Sequence, residues 1–283
     1  MIAADSEPDG EPLTLLQALV LGLVEGITEF LPVSSTGHLI VAQRLLGLPG
    51  GEGDNVFAIG IQMGAITAVL VLYWRRLLLA SRTCLRPEPG KPNLLWTIAL
   101  AAFPAALLGL LCDDWIDAHL FSSGVVATTM IVGGVLLLAL ERWLRGRSVA
   151  PRELDQLGYR TAVLIGLFQC LALVPGTSRS AATIAGALLL GLSRAAAAEF
   201  SFLVGLPILY GASLYKLAKH HEALSGDALM PFLVGTLVAF LSALVVVRPF
   251  VAFLRAHTFA PFAWYRLAAG ALLAAVVAAG WLA

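Results

Sequence analysis

Two short stretches of this sequence place charged side chains inside otherwise apolar runs. The first contains Glu25, Glu29 and His38, and the second contains Arg179. Hydroxyl side chains surround these four residues, namely Ser34, Ser35, Thr36, Thr177, Ser178, Ser180 and Thr183. A charge at bilayer depth costs at least about 2.5–3.5 kcal/mol, so residues of this kind are candidates for a functional site. The alternative is that they pair with one another and only fix helix packing.

The spacing within the first stretch predicts how its side chains are arranged. Glu25 and Glu29 are four residues apart, so their carboxylates share one face of a helix. Pro32 ends that helix, and the polar segment 34–37 is suited to capping the next one. His38 then lies one turn further along the second helix, on the side of the two serines.

The second stretch predicts a turn at 175–176 followed by a polar tip at 178–180. Two helix N-termini would then meet, which favours an anion, and the guanidinium of Arg179 favours a phosphate. Two carboxylates beside a phosphate repel it unless a divalent cation lies between them, so Mg²⁺ or Ca²⁺ is expected. With the Ser35 hydroxyl and His38, these groups have the chemistry of phosphoryl transfer. A transporter for an anion would use most of the same groups, so both classes stay open.

The composition indicates whether these residues lie in a soluble or a membrane protein. Of the 283 residues, 59% are hydrophobic and 13% are charged, with a mean hydropathy of +0.88. A soluble domain averages about 25% charged residues, so a soluble globular protein is excluded, as are a disordered chain and a disulfide scaffold. The 18 basic and 18 acidic residues give no basic excess of the kind that nucleic-acid binding requires. The composition predicts a polytopic membrane protein.

Ten apolar segments follow one another along the chain, and they differ in length. Three of them, 36–48, 161–174 and 181–192, fall short of the roughly 17 to 20 residues that a spanning helix needs. Length alone does not decide whether segment 13–31 spans. The remaining six are long enough to cross, and they are 56–73, 94–111, 122–140, 199–217, 229–247 and 262–282.

The charges between these segments predict which side of the membrane each loop occupies. Loops 74–93, 141–160 and 248–266 are basic, whereas loop 112–120 has three aspartates and neither lysine nor arginine. The positive-inside rule therefore places the first three in the cytoplasm and the last outside. The basic residues are Arg75, Arg76, Arg82, Arg86, Lys91, Arg142, Arg145, Arg147, Arg152, Arg160, Arg248, Arg255 and Arg266.

Two of the short segments must enter and leave on one side. Loops 141–160 and 248–266 are predicted to lie on the same side, so an even number of crossings separates them. Four apolar segments lie between these loops, and two of them are long enough to cross. Segments 161–174 and 181–192 therefore both cross or neither does. Because both are too short, they are predicted to form a re-entrant hairpin on the cytoplasmic side.

An internal repeat extends this topology to the whole chain. GLVEGITEFLPVSSTG at 22–37 aligns with GLFQCLALVPGTSRS at 166–180 after one gap, and LLGL follows both. Each half is then one re-entrant helical hairpin plus three transmembrane helices, with repeat 1 at about 13–141 and repeat 2 at about 160–282. Since three is odd, the halves form an inverted-topology repeat within a single all-α membrane domain. Both termini are predicted to lie outside.

The two polar motifs resemble the signatures of a known family. EGITEFLPVSSTGH at 25–38 and PGTSRSAAT at 175–183 are similar to those of the undecaprenyl-diphosphate phosphatases, the bacitracin-resistance membrane phosphatases, and the resemblance covers essentially the whole chain. It implies hydrolysis of undecaprenyl diphosphate to undecaprenyl phosphate and inorganic phosphate, which recycles the lipid carrier of peptidoglycan synthesis. It also implies a metal-dependent site that faces the periplasm from the inner membrane.

The resemblance assigns a role to each matching residue. Glu25 and Glu29 match the acidic pair for metal binding and catalysis, Ser35 the nucleophile, and His38 the catalytic histidine. Arg179 matches the diphosphate-binding residue, and the substrate-binding set around it is Ser34, Thr36, Ser178, Ser180 and Thr183. One departure from the pattern is Ala181, which stands where the family usually has glycine, and no functional side chain is lost by it.

Several alternatives stay open at this point. Ser35 either attacks the terminal phosphorus or orients a water molecule. A lipid-phosphate flippase is the rival to a phosphatase, although it has little need of a nucleophile beside a base. Glu199 either supports Arg179 or caps its own helix, while Gln62 and Gln169 are candidate supporting donors. The expected partners are undecaprenyl diphosphate and membrane lipid, and homo-oligomer formation is compatible with the sequence.

Overall fold

The computed structural model describes residues 13–48, 52–85, 92–146, 151–220 and 226–281. Within them the fold consists of helices, with short 3-10 turns and one isolated bridge between Arg152 and Leu192. Six of the described helices are long and apolar enough to cross a membrane, which confirms an all-helical multi-pass membrane protein. The helices are α1 (Leu15–Thr28), α2 (Ser35–Leu45), α3 (Glu52–Leu85), α4 (Leu94–Leu120), α5 (Ser123–Leu144), α6 (Tyr159–Gln169), α7 (Arg179–Leu189), α8 (Arg194–Lys219), α9 (Leu229–Ala256) and α10 (Ala260–Ala278).

Short and long helices alternate in the predicted order. α1 and α2 form one short pair, here called hairpin 1, and α6 and α7 form another, here called hairpin 2. Their helices contain 11 to 14 residues. At about 1.5 Å per residue none of them spans a bilayer. Three long helices follow each hairpin, so the six candidate crossings occupy the predicted places.

The two hairpin tips adopt the same unusual backbone conformation. Ser34 and Ser178 are the N-cap residues of α2 and α7, and their φ angles are +74° and +72°. They are the only described non-glycine residues with positive φ. Each serine Oγ accepts a hydrogen bond from the backbone N–H three residues later, at Gly37 and Ala181. This likeness at aligned positions supports the predicted repeat, whose inverted orientation stays a prediction.

The aligned glycines of the repeat have matching packing roles. A Cβ on Gly22 would lie 3.1 Å from the carbonyl carbon of Gly235, so this glycine lets α1 approach α9 closely. A Cβ on Gly166 would lie 3.0 Å from the carbonyl carbon of Ala101, so that glycine does the same for α6 and α4. Each hairpin thus packs on the second long helix of the other half, which brings the two tips together.

The long helices continue into residues that the sequence assigned to loops, so the loop boundaries predicted there were wrong. α4 ends only where Ser122 caps α5 by accepting the N–H of Val125 at 3.3 Å. Capping ends this helix, whereas the prediction ended it with the apolar run. Arg86, Lys91 and Arg147 lie outside the described residues. The reassigned residues are Arg75, Arg76 and Arg82 on α3, Asp113, Asp114 and Asp117 on α4, Arg142 on α5, and Arg248 and Arg255 on α9.

One predicted loop cation lies inside the fold. Arg266 was counted with the basic loop 248–266, and this assignment was wrong. The residue lies within α10, and it is completely buried. Its guanidinium contacts backbone carbonyls of both hairpins and of α5, which satisfy its donors away from water.

Candidate active site

A cavity of about 440 Å³ opens between the two hairpin tips. Its polar wall comes from both hairpins and consists of Glu29, Ser34, Ser35, Thr36, Ser178 and Arg179. The facing wall is mostly apolar and comes largely from α4 and α8, including Ala105, Leu110, Ile116, Pro207 and Leu209. A polar wall beside an apolar wall suits a ligand with a charged head and a hydrocarbon chain.

Glu29 makes two hydrogen bonds, one within hairpin 1 and one to hairpin 2. Its Oε2 accepts a hydrogen bond from the Ser35 hydroxyl at 2.7 Å, and its Oε1 accepts one from Nη2 of Arg179 at 2.8 Å. The Glu29 side chain is 6% exposed and that of Arg179 is 9% exposed. In this position Glu29 can take the proton of Ser35, while Arg179 holds its carboxylate in place.

Arg179 uses only part of its donor capacity within the protein. Its Nη1 donates to the carbonyl oxygen of Ser201 at 2.8 Å, and its Nη2 donates to Glu29. Its Nε is buried and has no hydrogen-bond partner among the described residues. A Cβ on Gly205 would lie 2.6 Å from Nη1, so a glycine is needed on α8 for the guanidinium to fit. Arg179 lines the cavity, and its guanidinium suits a phosphate.

Glu25 lies behind this group. It is completely buried, it does not line the cavity, and neither of its carboxylate oxygens accepts a hydrogen bond from a described residue. The charged groups that interact with it are Glu29 and Arg179. An ionised carboxylate buried without a partner is costly, so a cation or a proton must accompany it.

The two carboxylates fit a divalent cation of the predicted kind. Among the described residues no group of three or more His, Cys, Asp or Glu side chains could hold a metal ion. Mg²⁺ is commonly bound through one or two carboxylates, with substrate phosphates and water completing its shell. The orphaned oxygens of Glu25 beside Glu29 are donors of the kind that Mg²⁺ prefers, and the cation itself stays a prediction.

The remaining hydroxyls of hairpin 2 face away from the cavity. Ser180 is buried and donates to the carbonyl oxygen of Leu31 at 3.0 Å, which ties the two tips together. Thr183 is also buried and donates to Gln169 Oε1 at 3.0 Å. The structure therefore does not bring Ser180 or Thr183 to the cavity wall, whereas the predicted supporting donors Gln62 and Gln169 both line it.

His38 packs against Tyr265 of α10 and is not part of the cavity lining. Its Nδ1 is 2.7 Å from the carbonyl oxygen of Ser34, and its Nε2 is 2.6 Å from the hydroxyl of Tyr265, whose ring stacks on the imidazole. A carbonyl only accepts, so Nδ1 carries the proton and Nε2 accepts from the tyrosine. His38 does not line the cavity, and its role in proton transfer stays a prediction.

The opposite end of the cavity contains an ion-pair cluster that the sequence did not reveal. Lys216 on α8 binds Asp113 and Asp117 on α4, at 3.1 and 2.6 Å, and all three residues line the cavity. Lys219 pairs with Asp114 at 3.2 Å. The sequence had assigned these aspartates to the outside loop 112–120. The signal was the spacing, since pairs three or four residues apart on each helix present matching charges.

Glu199 has neither of the two roles considered for it. Its carboxylate accepts a hydrogen bond from Arg76 on α3 at 2.9 Å, and Arg76 also binds Asp155. The N-cap of α8 is Ser193, whose Oγ accepts the N–H of Ala196. Glu199 therefore links α8 to α3.

Comparison with known proteins gives a family match and many close relatives. The model of the family described as bacitracin resistance protein BacA matches residues 18–272. An undecaprenyl-diphosphatase 1 from Chromobacterium violaceum is 49% identical over 92% of this chain and 95% of its own length. An undecaprenyl-diphosphatase 2 from Rhodospirillum rubrum is 48% identical over 94% of this chain and 96% of its own. An undecaprenyl-diphosphatase from Verminephrobacter eiseniae is 44% identical over 95% and 97%.

Proposed function

The chain belongs to the bacitracin resistance protein BacA family, and from this membership we propose how its hairpin tips carry out the family's reaction. The protein is an undecaprenyl-diphosphatase. It hydrolyses undecaprenyl diphosphate to undecaprenyl phosphate and inorganic phosphate, which serves cell-wall synthesis and bacitracin resistance. The observation that supports this site is the Glu29 carboxylate, which bridges the Ser35 hydroxyl and the Arg179 guanidinium beside the cavity. The relatives are named for hydrolysis, so a flippase is not favoured.

The proposed reaction begins with the terminal phosphate between the hairpin tips. The guanidinium of Arg179 and the N-terminal N–H groups of α2 and α7 bind its oxygens. Ser35 Oγ forms a bond to the terminal phosphorus as its proton passes to Glu29. The bond from that phosphorus to the bridging oxygen breaks, and undecaprenyl phosphate leaves with the bonding electrons.

A water molecule then completes the hydrolysis. Glu29 returns its proton to Ser35 Oγ as the phosphorus–Oγ bond breaks, and the attacking water supplies the oxygen of inorganic phosphate. A Mg²⁺ or Ca²⁺ ion held by Glu25 and Glu29 would neutralise phosphate charge at this site when bound. Ser34, Thr36 and Ser178 complete the proposed lining of the phosphate site, whereas Ser180 and Thr183 support the tips from behind.

The proposed orientation places the cavity on the periplasmic side. The Lys216 cluster lies at the ends of α4 and α8 that the charge pattern assigns to the outside, and the arginine-rich ends lie opposite. The apolar wall of α4 and α8 suits the prenyl chain of a substrate that enters from the membrane. Under this orientation both termini lie outside, in an inner-membrane protein.

The test is phosphate release from a C55 or C15 prenyl diphosphate by the purified protein in detergent. Turnover is expected with Mg²⁺ or Ca²⁺, and chelation with EDTA is expected to lower it, since two carboxylates would then repel the diphosphate. Excess Mg²⁺ should restore the rate. An unchanged rate in EDTA would contradict the proposed metal dependence but not the proposed phosphatase activity. No turnover by folded protein that still binds prenyl phosphate would contradict the phosphatase site and favour a transporter.

Substitution of His38 separates two candidates for the proton acceptor of Ser35. His38→Asn is expected to lower kcat by less than about tenfold, because general-base losses reach about 10²-fold to 10⁴-fold only for the group that takes the proton. Both ring nitrogens are already engaged with Ser34 and Tyr265, and Glu29 holds the hydroxyl of Ser35. Tyr265→Phe is the matched control, since it removes only the hydroxyl. A loss in His38→Asn as large as that in Glu29→Gln would return the role to His38.

A further inference from the structure

Arg266 is a buried cation that contacts no described acidic side chain. It is 0% exposed within α10, and its guanidinium has five N–H donors. Five backbone carbonyls accept from it, so every donor is used without a counter-ion. These are Met130 at 3.2 Å, Pro32 at 3.4 Å, Thr177 at 2.9 Å, Thr129 at 3.0 Å and Gly176 at 3.1 Å.

The five carbonyls belong to three separate parts of the fold. Pro32 lies in the tip of hairpin 1, Gly176 and Thr177 lie in the tip of hairpin 2, and Thr129 and Met130 lie on α5. Arg266 therefore joins both tips to the α5–α10 pair. A charged donor makes stronger hydrogen bonds than a neutral one, so these contacts resist rotation of the peptide groups.

Three of the five carbonyls held by Arg266 lie shortly before the reacting groups in the chain. Thr177 is followed by Ser178 and Arg179, and Pro32 lies shortly before Ser34 and Ser35. Ser34 and Ser178 have φ near +70°, a conformation that costs a non-glycine residue energy and persists only where surrounding contacts impose it. Fixing the adjacent carbonyls imposes it, and it sets the direction in which α2 and α7 begin.

We propose that Arg266 is a positioning residue for the hydrolysis, holding both hairpin tips so that Ser35, Glu29 and Arg179 meet across the cavity. The proposal rests on the proposed function of that site. It predicts a loss in kcat with little change in KM, because Arg266 acts on the geometry of the reacting groups and lines no part of the cavity.

Two substitutions perturb Arg266 in different ways. Arg266→Lys keeps the charge but replaces the planar five-donor fork with a point charge. Gly133→Ala keeps the arginine but adds a Cβ that would overlap Nη2 and lie 2.8 Å from Cζ, so the guanidinium must move. Arg44→Gln is the control, since Arg44 also donates to a carbonyl, that of Trp281 at 3.0 Å, but it is exposed and remote from the tips.

Steady-state phosphate release by each purified protein, normalised to the folded fraction in size-exclusion chromatography and thermal unfolding, tests the proposal. Both substitutions are expected to lower kcat about tenfold to hundredfold, the effect of misplacing reacting groups by about 1 Å, with KM within about threefold. Arg44→Gln should match the wild type.

Three results would overturn the proposal. One is a kcat within about threefold of wild type in both variants, which is below the effect of misplaced reacting groups. Another is a change in KM alone, which would place the effect of Arg266 on substrate binding and not on the geometry of the reacting groups. The third is loss of folded protein in both variants, which would make Arg266 a residue of the fold and not of the tips. Wild-type turnover separately tests the proposed function, so the two failures are distinguishable.

Discussion

Glu29→Gln is expected to lower kcat by about 10³-fold to 10⁴-fold, since it removes a general base together with the group that orients it. Glutamine has nearly the same shape, but one of its two terminal atoms becomes an NH₂ donor. That atom faces either the Ser35 hydroxyl or Nη2 of Arg179, and both of these groups now donate to Glu29. The substitution therefore removes the proton acceptor and leaves one hydrogen bond of the bridge unmade. Single-turnover phosphate release in saturating substrate would measure the loss in the chemical step.

Glu141→Gln is a closely matched control for this substitution. Glu141 is also buried, and its Oε2 accepts from Nη2 of an arginine, Arg194, at 2.6 Å. It lies at the C-terminal end of α5 and lines neither hairpin tip nor cavity. The control variant should lose thermal stability but keep its kcat per folded molecule. Equal losses of kcat in the two variants would show that breaking any buried ion pair inactivates the protein, which would contradict a special role for Glu29.

The helical layout was predictable from sequence because hydrophobic length is a local property. The six long segments and the short hairpins followed from counting apolar residues between charges, and the structure confirms the six long helices. The helix ends were less predictable. α4 includes Asp113 and Asp117, beyond its apolar run, because its end is set by the cap at Ser122.

The meeting of Glu29, Ser35 and Arg179 was also predictable, although 150 residues separate the first from the last. Each lies in a polar tip within apolar sequence, and a polar tip inside a membrane needs a polar partner. The side from which each side chain is contacted could not be predicted in the same way. His38 follows Ser34 by one turn, as the helical spacing requires, but only the position of α10 places Tyr265 against its ring.

Arg266 shows where sequence reasoning stops. In the sequence it is one more cation after a basic segment, and the positive-inside rule counts it as cytoplasmic. Its actual partners are backbone carbonyls from three elements, and a carbonyl is present at every position of every chain. No residue pattern shows which carbonyls can accept from a guanidinium. The backbone conformation of the hairpin tips decides which carbonyls have no backbone N–H partner. The Lys216 cluster was missed for a related reason, because its pairing depends on how α4 and α8 lie against each other.

Ser35→Ala is expected to lower kcat by about 10³-fold or more, the scale found when a member of a coupled nucleophile–base unit is removed. The Glu29 carboxylate stays paired with Arg179 in this variant, so the folded state should be retained. Ser213→Ala is the control, because the Ser213 hydroxyl is buried and donates at the same 2.7 Å, to the carbonyl of Ile59, without lining the cavity. It should keep wild-type kcat, so a comparable loss in Ser213→Ala would contradict a specific role for the Ser35 hydroxyl.

Comparison of the wild-type protein with Ser35→Ala decides how Ser35 acts. If Ser35 Oγ attacks the phosphorus, acid quenching of the wild-type enzyme during turnover of substrate labelled in its terminal phosphate should trap labelled phosphoserine, and peptide mapping should place it at Ser35. Ser35→Ala should trap none. The geometry favours this result, because the Oγ hydrogen bond to Glu29 is the contact that activates a serine nucleophile. A rate loss in Ser35→Ala without any trapped label in the wild type, even at the earliest quench times, would contradict the nucleophile. Ser35 would then orient a water molecule, with Glu29 taking the proton of that water.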